Sequence, residues 1–140
     1  MIYAILTRLR QDAPLQALLG ATEDDTRVYP LETGNFGPCL TYTVSQVSGG
    51  VVKTSRIETR IYDTDYDHAL CVAARLDQLL DMDEGDPGWF FDYEDDVGAS
   101  RRVEIMTLGQ NGGGELLFTA GEQTIYQKTL YYYVKWRQIK

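Results

Sequence analysis

Alternation of bulky and small polar residues predicts two neighbouring strands near the middle of the chain. In residues 39–47 the even positions hold Leu40, Tyr42 and Val44, whereas most odd positions hold Thr or Ser. A second alternating run covers residues 52–62, and Ser48-Gly49-Gly50 lies before it with the composition of a turn. The pattern predicts a β-hairpin or meander with one apolar face and one charged face.

A helical period follows directly after these strands. Asp63, Thr64 and Asp65 can accept hydrogen bonds from the free N–H groups of a first helical turn. The apolar residues that follow recur at helical spacing. They are Tyr66, Ala69, Leu70, Ala73, Leu76, Leu79 and Leu80. We expect this stripe to cover the sheet, with Leu70, Ala73, Leu76 and Leu80 packed on Leu40, Tyr42, Ile57 and Ile61.

The N-terminal segment predicts two short helices. Ile2, Ile5, Leu6 and Leu9 keep helical spacing. After a break at Asp12-Ala13-Pro14, a second helix with Pro14 in its first turn carries Leu15, Leu18 and Leu19 and ends at Gly20. Proline is tolerated in a first helical turn, and glycine favours the left-handed C-terminal position. Residues 27–30 are predicted to be extended, and residues 31–38 to form a loop.

The second half of the chain is rich in strand patterns. Residues 101–108 alternate, residues 109–114 read GQNGGG and are predicted to be a flexible hairpin loop, and residues 116–119 begin the return strand. A long strand over residues 124–138 is expected to lie in the centre of the sheet, or to present its second aromatic face to another subunit. Residues 81–100 are predicted to be irregular or an edge of the sheet.

Together these elements predict an α+β fold in a single domain spanning residues 1–140. The sheet is mainly antiparallel, with an N-terminal helix and one central helix packed on one face. No apolar run approaches the ~20 residues that span a bilayer, and no signal peptide is expected. Cys39 and Cys71 have apolar neighbours, which favours two buried free thiols of a cytoplasmic protein over a disulfide.

Charge is concentrated in one segment. The net charge is −8, and residues 81–96 contain as many carboxylates with no lysine or arginine among them. These acids are Asp81, Asp83, Glu84, Asp86, Asp92, Glu94, Asp95 and Asp96. Binding to nucleic-acid phosphates requires clustered Lys and Arg, so an acidic balance argues against it. The segment could bind a divalent ion, repel DNA or form a solvated loop.

The sequence contains no recognisable catalytic or metal-binding motif. Residues 63–67 imitate the start of a calcium loop, but His68 stands where glycine is needed and Ala74 where a bidentate glutamate should be. The only histidine, His68, is expected to be exposed. Gly112-Gly113-Gly114 lacks the Lys-Ser/Thr of a phosphate loop. We therefore expect no enzymatic activity, no catalytic residue, no metal and no cofactor.

The order of the elements resembles the tail-completion family of long-tailed bacteriophages, also called tail terminators or tail-to-head joining proteins. The resemblance rests on an R-x-Y-P … P-x-x-x-Y stretch at Arg27, Tyr29, Pro30, Pro38 and Tyr42, and on the strand-to-helix junction over residues 57–69. It implies a virion protein at the head-proximal end of the tail, assembled in the host cytoplasm. The implied partners are further copies in a homo-hexameric ring, the tail tube protein and a head-completion or connector protein. DNA would pass through the ring without specific binding, and no membrane is involved.

The acidic segment lies outside these motifs, and its role is inferred from charge alone. If turned inward, six copies would line the ring channel with carboxylates and let DNA slide. In an outward position the acids would form a solvated rim or dock on the tail tube. The aromatic residues predicted to meet a neighbouring subunit are Trp89, Phe90, Phe91, Tyr93, Tyr131 and Tyr133. Two alternatives stay open: another phage neck or head-completion adaptor, and a small cytosolic enzyme or ligand-binding domain.

Overall fold

The computed structural model describes residues 1–31, 37–83 and 85–139. The predicted loop over residues 31–38 falls mostly outside them. The described chain contains the helices α1 (Ile2–Gln11), α2 (Ala13–Leu19) and α3 (Tyr66–Leu80). Its strands are β1 (Val28–Pro30), β2 (Cys39–Ser48), β3 (Lys53–Asp63), β4 (Trp89–Glu94), β5 (Ser100–Ala120) and β6 (Gln123–Ile139).

The strands form one six-stranded sheet in the order β1-β2-β3-β6-β5-β4. Only the β1–β2 pair is parallel among the described strands, and the other four pairs are antiparallel. The predicted β2–β3 hairpin is confirmed, and β6 lies in the interior of the sheet because it pairs with both β3 and β5. The α+β prediction with a mainly antiparallel sheet is therefore confirmed.

The three helices pack together on one face of the sheet. Asp65 caps α3 by accepting a hydrogen bond from the backbone N–H of His68, and Gly20 ends α2 in the left-handed conformation at φ 67°. The largest core cluster joins these helices to the sheet through Leu9, Leu76 and Tyr132, all of which are buried. The Tyr132 hydroxyl donates to Asp77 of α3, and burial raises the pKa of this tyrosine.

The buried stripe of α3 differs from the predicted one: Val72 is added, Tyr66 and Leu70 are exposed, and Leu79 is only partly buried. Its buried residues are Ala69, Val72, Ala73, Leu76 and Leu80, whereas Leu70 is 38% exposed. Val72 lies three residues after Ala69 and four before Leu76, so the helical period places it on the inner face. Leu70 lies at the side of the helix, outside the core cluster that contains Leu40, Ile57 and Ile61, so its predicted packing on those residues is wrong.

The predicted hairpin loop over residues 109–114 is also wrong. Strand β5 continues through it to Ala120, and the chain turns at residues 121–122 before β6 begins. A register shift between Gln110 and Gly113 absorbs the irregularity, with Gly112 at φ +91°. A side chain at Gly113 would meet the carbonyl oxygen of Thr129 at 2.2 Å. Glycine is present because β6 approaches this backbone closely, which is one of the uses of glycine inside a strand.

Neither cysteine forms a disulfide, but only one is buried. Cys39 is fully buried, and this burial raises the pKa of its thiol to about 11. Cys71 is exposed, so the expectation of two buried thiols is wrong for it. Its sequence neighbours are apolar, yet it lies between the inner positions Ala69 and Ala73 and points away from the stripe.

Candidate assembly surfaces

The residues quoted for the family resemblance are brought together at the start of the sheet. Arg27 Nε donates to the carbonyl oxygen of Pro38 at 2.9 Å, and Leu31 N donates to the carbonyl oxygen of Tyr42 at 2.8 Å. The Tyr29 hydroxyl donates to the carboxylate of Asp25 at 2.8 Å. These contacts align β1 beside β2. The motif therefore stabilises the local fold by backbone and side-chain hydrogen bonds.

The sheet face opposite the helices is polar and aromatic. Arg56 pairs with Tyr133 across β3 and β6, and Glu58 pairs with Tyr131. These residues alternate with the buried Ile57 and therefore lie on the outer face. The guanidinium of Arg56 lies 4.9 Å from the ring centre of Tyr131. Half-buried tyrosines lie here among charged side chains of both signs. Such a surface can be exposed to water or can contact another protein.

The predicted acids fall into two separate groups. Asp81 follows α3, and its Oδ1 accepts a hydrogen bond from Gln110 N of β5 at 3.0 Å. Asp86 Oδ2 accepts from Asp83 N at 2.7 Å, which closes a local turn. Glu84 lies outside the described residues. Within the described residues, this first group contributes to the folding of the helix end.

The second group of acids belongs to β4 and the turn after it. Asp92 accepts two hydrogen bonds from Arg102, and Asp95 accepts one from Arg101 at 2.8 Å. These contacts lower the pKa of both aspartates below its ordinary value. Glu94 and Asp96 have no ion pair among the residues that the structure describes. Two of the eight acids of the segment, Asp92 and Asp95, are therefore paired with arginines just beyond it.

The six predicted interface aromatics also divide between two faces. Trp89, Phe91 and Tyr93 point toward the helices and pack on the core. Arg8 of α1 lies 4.2 Å from the Trp89 ring centre. The other three, Phe90, Tyr131 and Tyr133, lie on the face without helices. The three inward aromatic residues are therefore largely covered by α1 of the same chain. A role for all six in a subunit interface stays a prediction.

An apolar tip forms the β2–β3 turn at one end of the sheet. Val47, Val51 and Val52 are exposed there, and Val51 is 84% exposed. Lys53 follows the turn and lies beside the end of β6, where its Nζ is 5.0 Å from the Trp136 ring centre. The sequence analysis assigned no function to these valines. The sequence feature that could have indicated an apolar tip is the three valines beside a Gly-Gly turn, where polar residues are usual.

An apolar pocket of about 230 Å³ lies at the opposite end of the sheet, between the start of α3 and the β5–β6 hairpin. Tyr66, Leu70, Leu117 and Tyr126 supply its apolar lining, and the two tyrosine ring centres are 5.4 Å apart. The Tyr66 hydroxyl donates to Glu115 at 3.0 Å, which together with Lys128 lowers the pKa of that carboxyl. Sequence reasoning missed this pocket because it placed residues 116–119 in a short return strand.

The described residues give little basis for metal or acid–base chemistry. They include no group of three or more His, Cys, Asp and Glu side chains arranged to hold a metal ion. His68 is half-buried, contrary to expectation, and its Nδ1 hydrogen-bonds the buried carboxylate of Asp63. Asp63 also accepts from Asp65 N at 3.0 Å, so the pair belongs to the start of α3. None of the described helices has the length and apolarity to cross a bilayer.

Comparison with known proteins gives a likeness in fold. No protein-family model matches the chain, and no curated protein matches its sequence. The fold is similar to that of a chain in the solved virion of a native gene transfer agent (GTA) particle. The TM-score is 0.56 at 16% sequence identity, and the match covers 94% of this chain and 91% of the other. The two chains therefore share a fold over nearly their whole length.

Proposed function

We propose that this chain is a structural protein of a phage-like virion, and within it the tail terminator, a ring that caps the tail tube and joins it to the DNA-filled head. The observation that carries the proposal is the fold likeness to a chain of a GTA virion over 94% of this chain and 91% of that one. The match therefore covers nearly the whole of both chains and not a shared fragment. The tail-terminator role rests in addition on the sequence resemblance of the Arg27–Tyr42 stretch and of the strand-to-helix junction to the tail-completion family.

The distribution of side chains supports a structural role. The polar groups with close partners hold elements of the chain together, as Asp81 does for α3 and β5 and Arg27 does for the segment before β2. We propose that the protein has no enzymatic activity and needs no metal or cofactor. Elemental analysis of protein purified without added metal checks the second statement, because stoichiometric zinc or calcium would contradict it.

A ring subunit needs a different surface for each of its two neighbours, because a closed ring is built from head-to-tail contacts. It also needs one surface for the tail tube and one for the head-side connector. This chain offers exposed features on separate sides: the valine tip, the pocket beside α3, and the polar face with Tyr131 and Tyr133. DNA would pass through the ring without base-specific contacts.

Gene deletion in the phage or particle that encodes this chain tests the proposal. A protein that caps the tube should, when missing, leave tails of uncontrolled length, and a neck or head-completion adaptor should leave tails of normal length that stay unjoined. Electron microscopy of the lysate distinguishes the two outcomes. Native mass spectrometry of the purified chain with tail tubes should show hexamers on the tubes. Normal tails joined to heads in the deletion strain would overturn the proposal.

A further inference from the structure

The exposed apolar residues of this chain form complementary shapes at opposite ends of the sheet. The valine tip, defined as Val47, Val51 and Val52, projects from the β2–β3 turn. The pocket, lined by Tyr66, Leu70, Leu117 and Tyr126, lies where β3 ends and α3 begins. Strand β3 separates them by its 11 residues, about 36 Å at ~3.3 Å per residue. Tip and pocket therefore cannot meet within one chain.

The pocket suits protein side chains better than a small molecule. Its volume of about 230 Å³ is below the roughly 300–1,000 Å³ of ligand sites. Its lining is mainly apolar, and its nearest polar groups, Tyr66, Glu115 and Lys128, already hydrogen-bond one another. Polar groups that already hydrogen-bond one another can do little to orient a polar ligand. An apolar side chain needs no such hydrogen bonds to bind.

Charges around the two features are of opposite sign. Lys53 and Lys135 lie at the tip end of the sheet, and Arg137 lies beside Val51 in the same surface depression. Glu104 of β5 neutralises part of this charge by pairing with Arg137. Asp65 and Asp67 flank Tyr66 at the pocket, where Glu115 is balanced by Lys128. When the tip of one copy approaches the pocket of another, the unneutralised lysines therefore come close to the unneutralised aspartates. This attraction favours association of the two copies in a defined orientation.

We propose that the valine tip of one copy inserts into the pocket of the next copy, so that identical chains join head to tail. The proposal rests on the ring in "Proposed function", to which it adds the contact that builds it. Two different surfaces at opposite ends form a heterologous contact, which repeats until a ring closes. An isologous contact of tip on tip or pocket on pocket would instead bring like charges together.

Paired variants of the full chain test this contact. Val51→Asp damages the tip and leaves the pocket, whereas Leu117→Asp damages the pocket and leaves the tip. Both side chains are largely exposed, at 84% and 58%, so both variants should keep the wild-type melting temperature. Each variant alone should need ~10-fold or more higher protein concentration to assemble on tail tubes, because an aspartate would be buried without a partner.

Mixing the two variants gives the decisive result. The intact tip of Leu117→Asp fits the intact pocket of Val51→Asp, so native mass spectrometry should detect a 1:1 heterodimer that grows no further. Val97→Asp is the matched control, because Val97 is an 86% exposed valine in the turn after β4, and its rings should be normal. If Leu117→Asp lowers the melting temperature, Leu70→Asp replaces it as the pocket variant.

The outcomes separate this contact from the proposed function. Wild-type rings together with normal rings from both variants would overturn the tip-to-pocket contact and leave the terminator role standing. Rings that form normally but no longer bind tail tubes would assign the pocket to the tube protein and likewise overturn the contact. A wild-type chain that stays monomeric on tail tubes would overturn the ring itself, and the contact with it.

Discussion

The carboxylate of Asp12 accepts two hydrogen bonds from the guanidinium of Arg75, at 2.8 Å and 2.5 Å. The same carboxylate accepts a third from Leu15 N at 2.9 Å and so caps α2. Asp12 lies between α1 and α2, and Arg75 lies on α3. This one side chain therefore fixes the corner of the first two helices against the third.

Removal of this carboxylate should destabilise the protein. We expect Asp12→Ala to lower the free energy of unfolding by about 1–3 kcal/mol, because it removes both a helix cap and charge-assisted hydrogen bonds. Urea unfolding measures the change. Asp24→Ala is the control, since Asp24 is an exposed acid in the loop after α2. Equal stability of the two variants would show that the contact contributes nothing.

The same pair should make stability depend on acid. The hydrogen bond from Arg75 holds the pKa of Asp12 below its ordinary value. The stabilisation is therefore complete above about pH 4, the pKa of an unfolded aspartate, and is lost as the pH falls through the lower folded value. The stability difference between wild type and Asp12→Asn should be constant at neutral pH and shrink in acid. A difference that grew in acid would contradict this sign.

Two leucines of α3 should respond differently to truncation. Leu76 is fully buried, whereas Leu70 is 38% exposed. Leu76→Ala should cost about 2–5 kcal/mol, because it removes buried methylene groups and leaves a cavity. Leu70→Ala should change the free energy of unfolding by less than about 1 kcal/mol. Thermal or urea unfolding of both variants checks the prediction, and a larger loss from Leu70→Ala would refute the described stripe.

Neighbouring glycines of β5 provide a test of the continuous strand. Gly113→Ala would place a methyl group 2.2 Å from the Thr129 carbonyl oxygen, whereas a methyl group at Gly114 meets nothing within 4 Å. Gly113→Ala should therefore cost on the order of 1–3 kcal/mol, as overpacking does. Gly114→Ala should be neutral or slightly stabilising. A flexible loop would make the two variants alike in unfolding experiments.

Charge reversal tests the acidic channel expected from the sequence. Asp92 and Asp95 pair with Arg102 and Arg101, so reversing their charge would also break these ion pairs. Glu94→Lys with Asp96→Lys is the sharper double variant. If these acids line a channel, rings should form, tails should join heads, and DNA delivery should slow because lysines retain a polyanion. Normal delivery combined with failed joining or assembly would make the segment an interface.

The elements that could be predicted from the sequence are those with one buried face, because burial of one face leaves a periodic pattern of apolar residues. Strands β2 and β3 and the central place of β6 follow from the alternation of residues such as Ile57 and Tyr132 with polar neighbours. Local hydrogen bonding likewise predicted the cap at Asp65 and the left-handed Gly20. These features depend on chemistry within a few residues of each other.

The features that could not be predicted depend on partners distant in sequence. Gly113 has the composition of a loop, and only the approach of Thr129 explains why glycine continues a strand. The arginine partners of Asp92 and Asp95 become visible only when β4 pairs with β5. The pocket requires Leu70 and Leu117 to meet across the fold, which no periodicity records.

Strand β6 is the last of the described strands in chain order, yet it lies between β3 and β5. All pairing between the β1–β2–β3 half of the sheet and the β5–β4 half runs through it. During translation the two halves therefore cannot pair with each other until β6 emerges from the ribosome. Until then β3 and β5 expose unpaired edges that can bind other nascent chains. The pairing of the two halves of the sheet therefore requires that this strand has been synthesised.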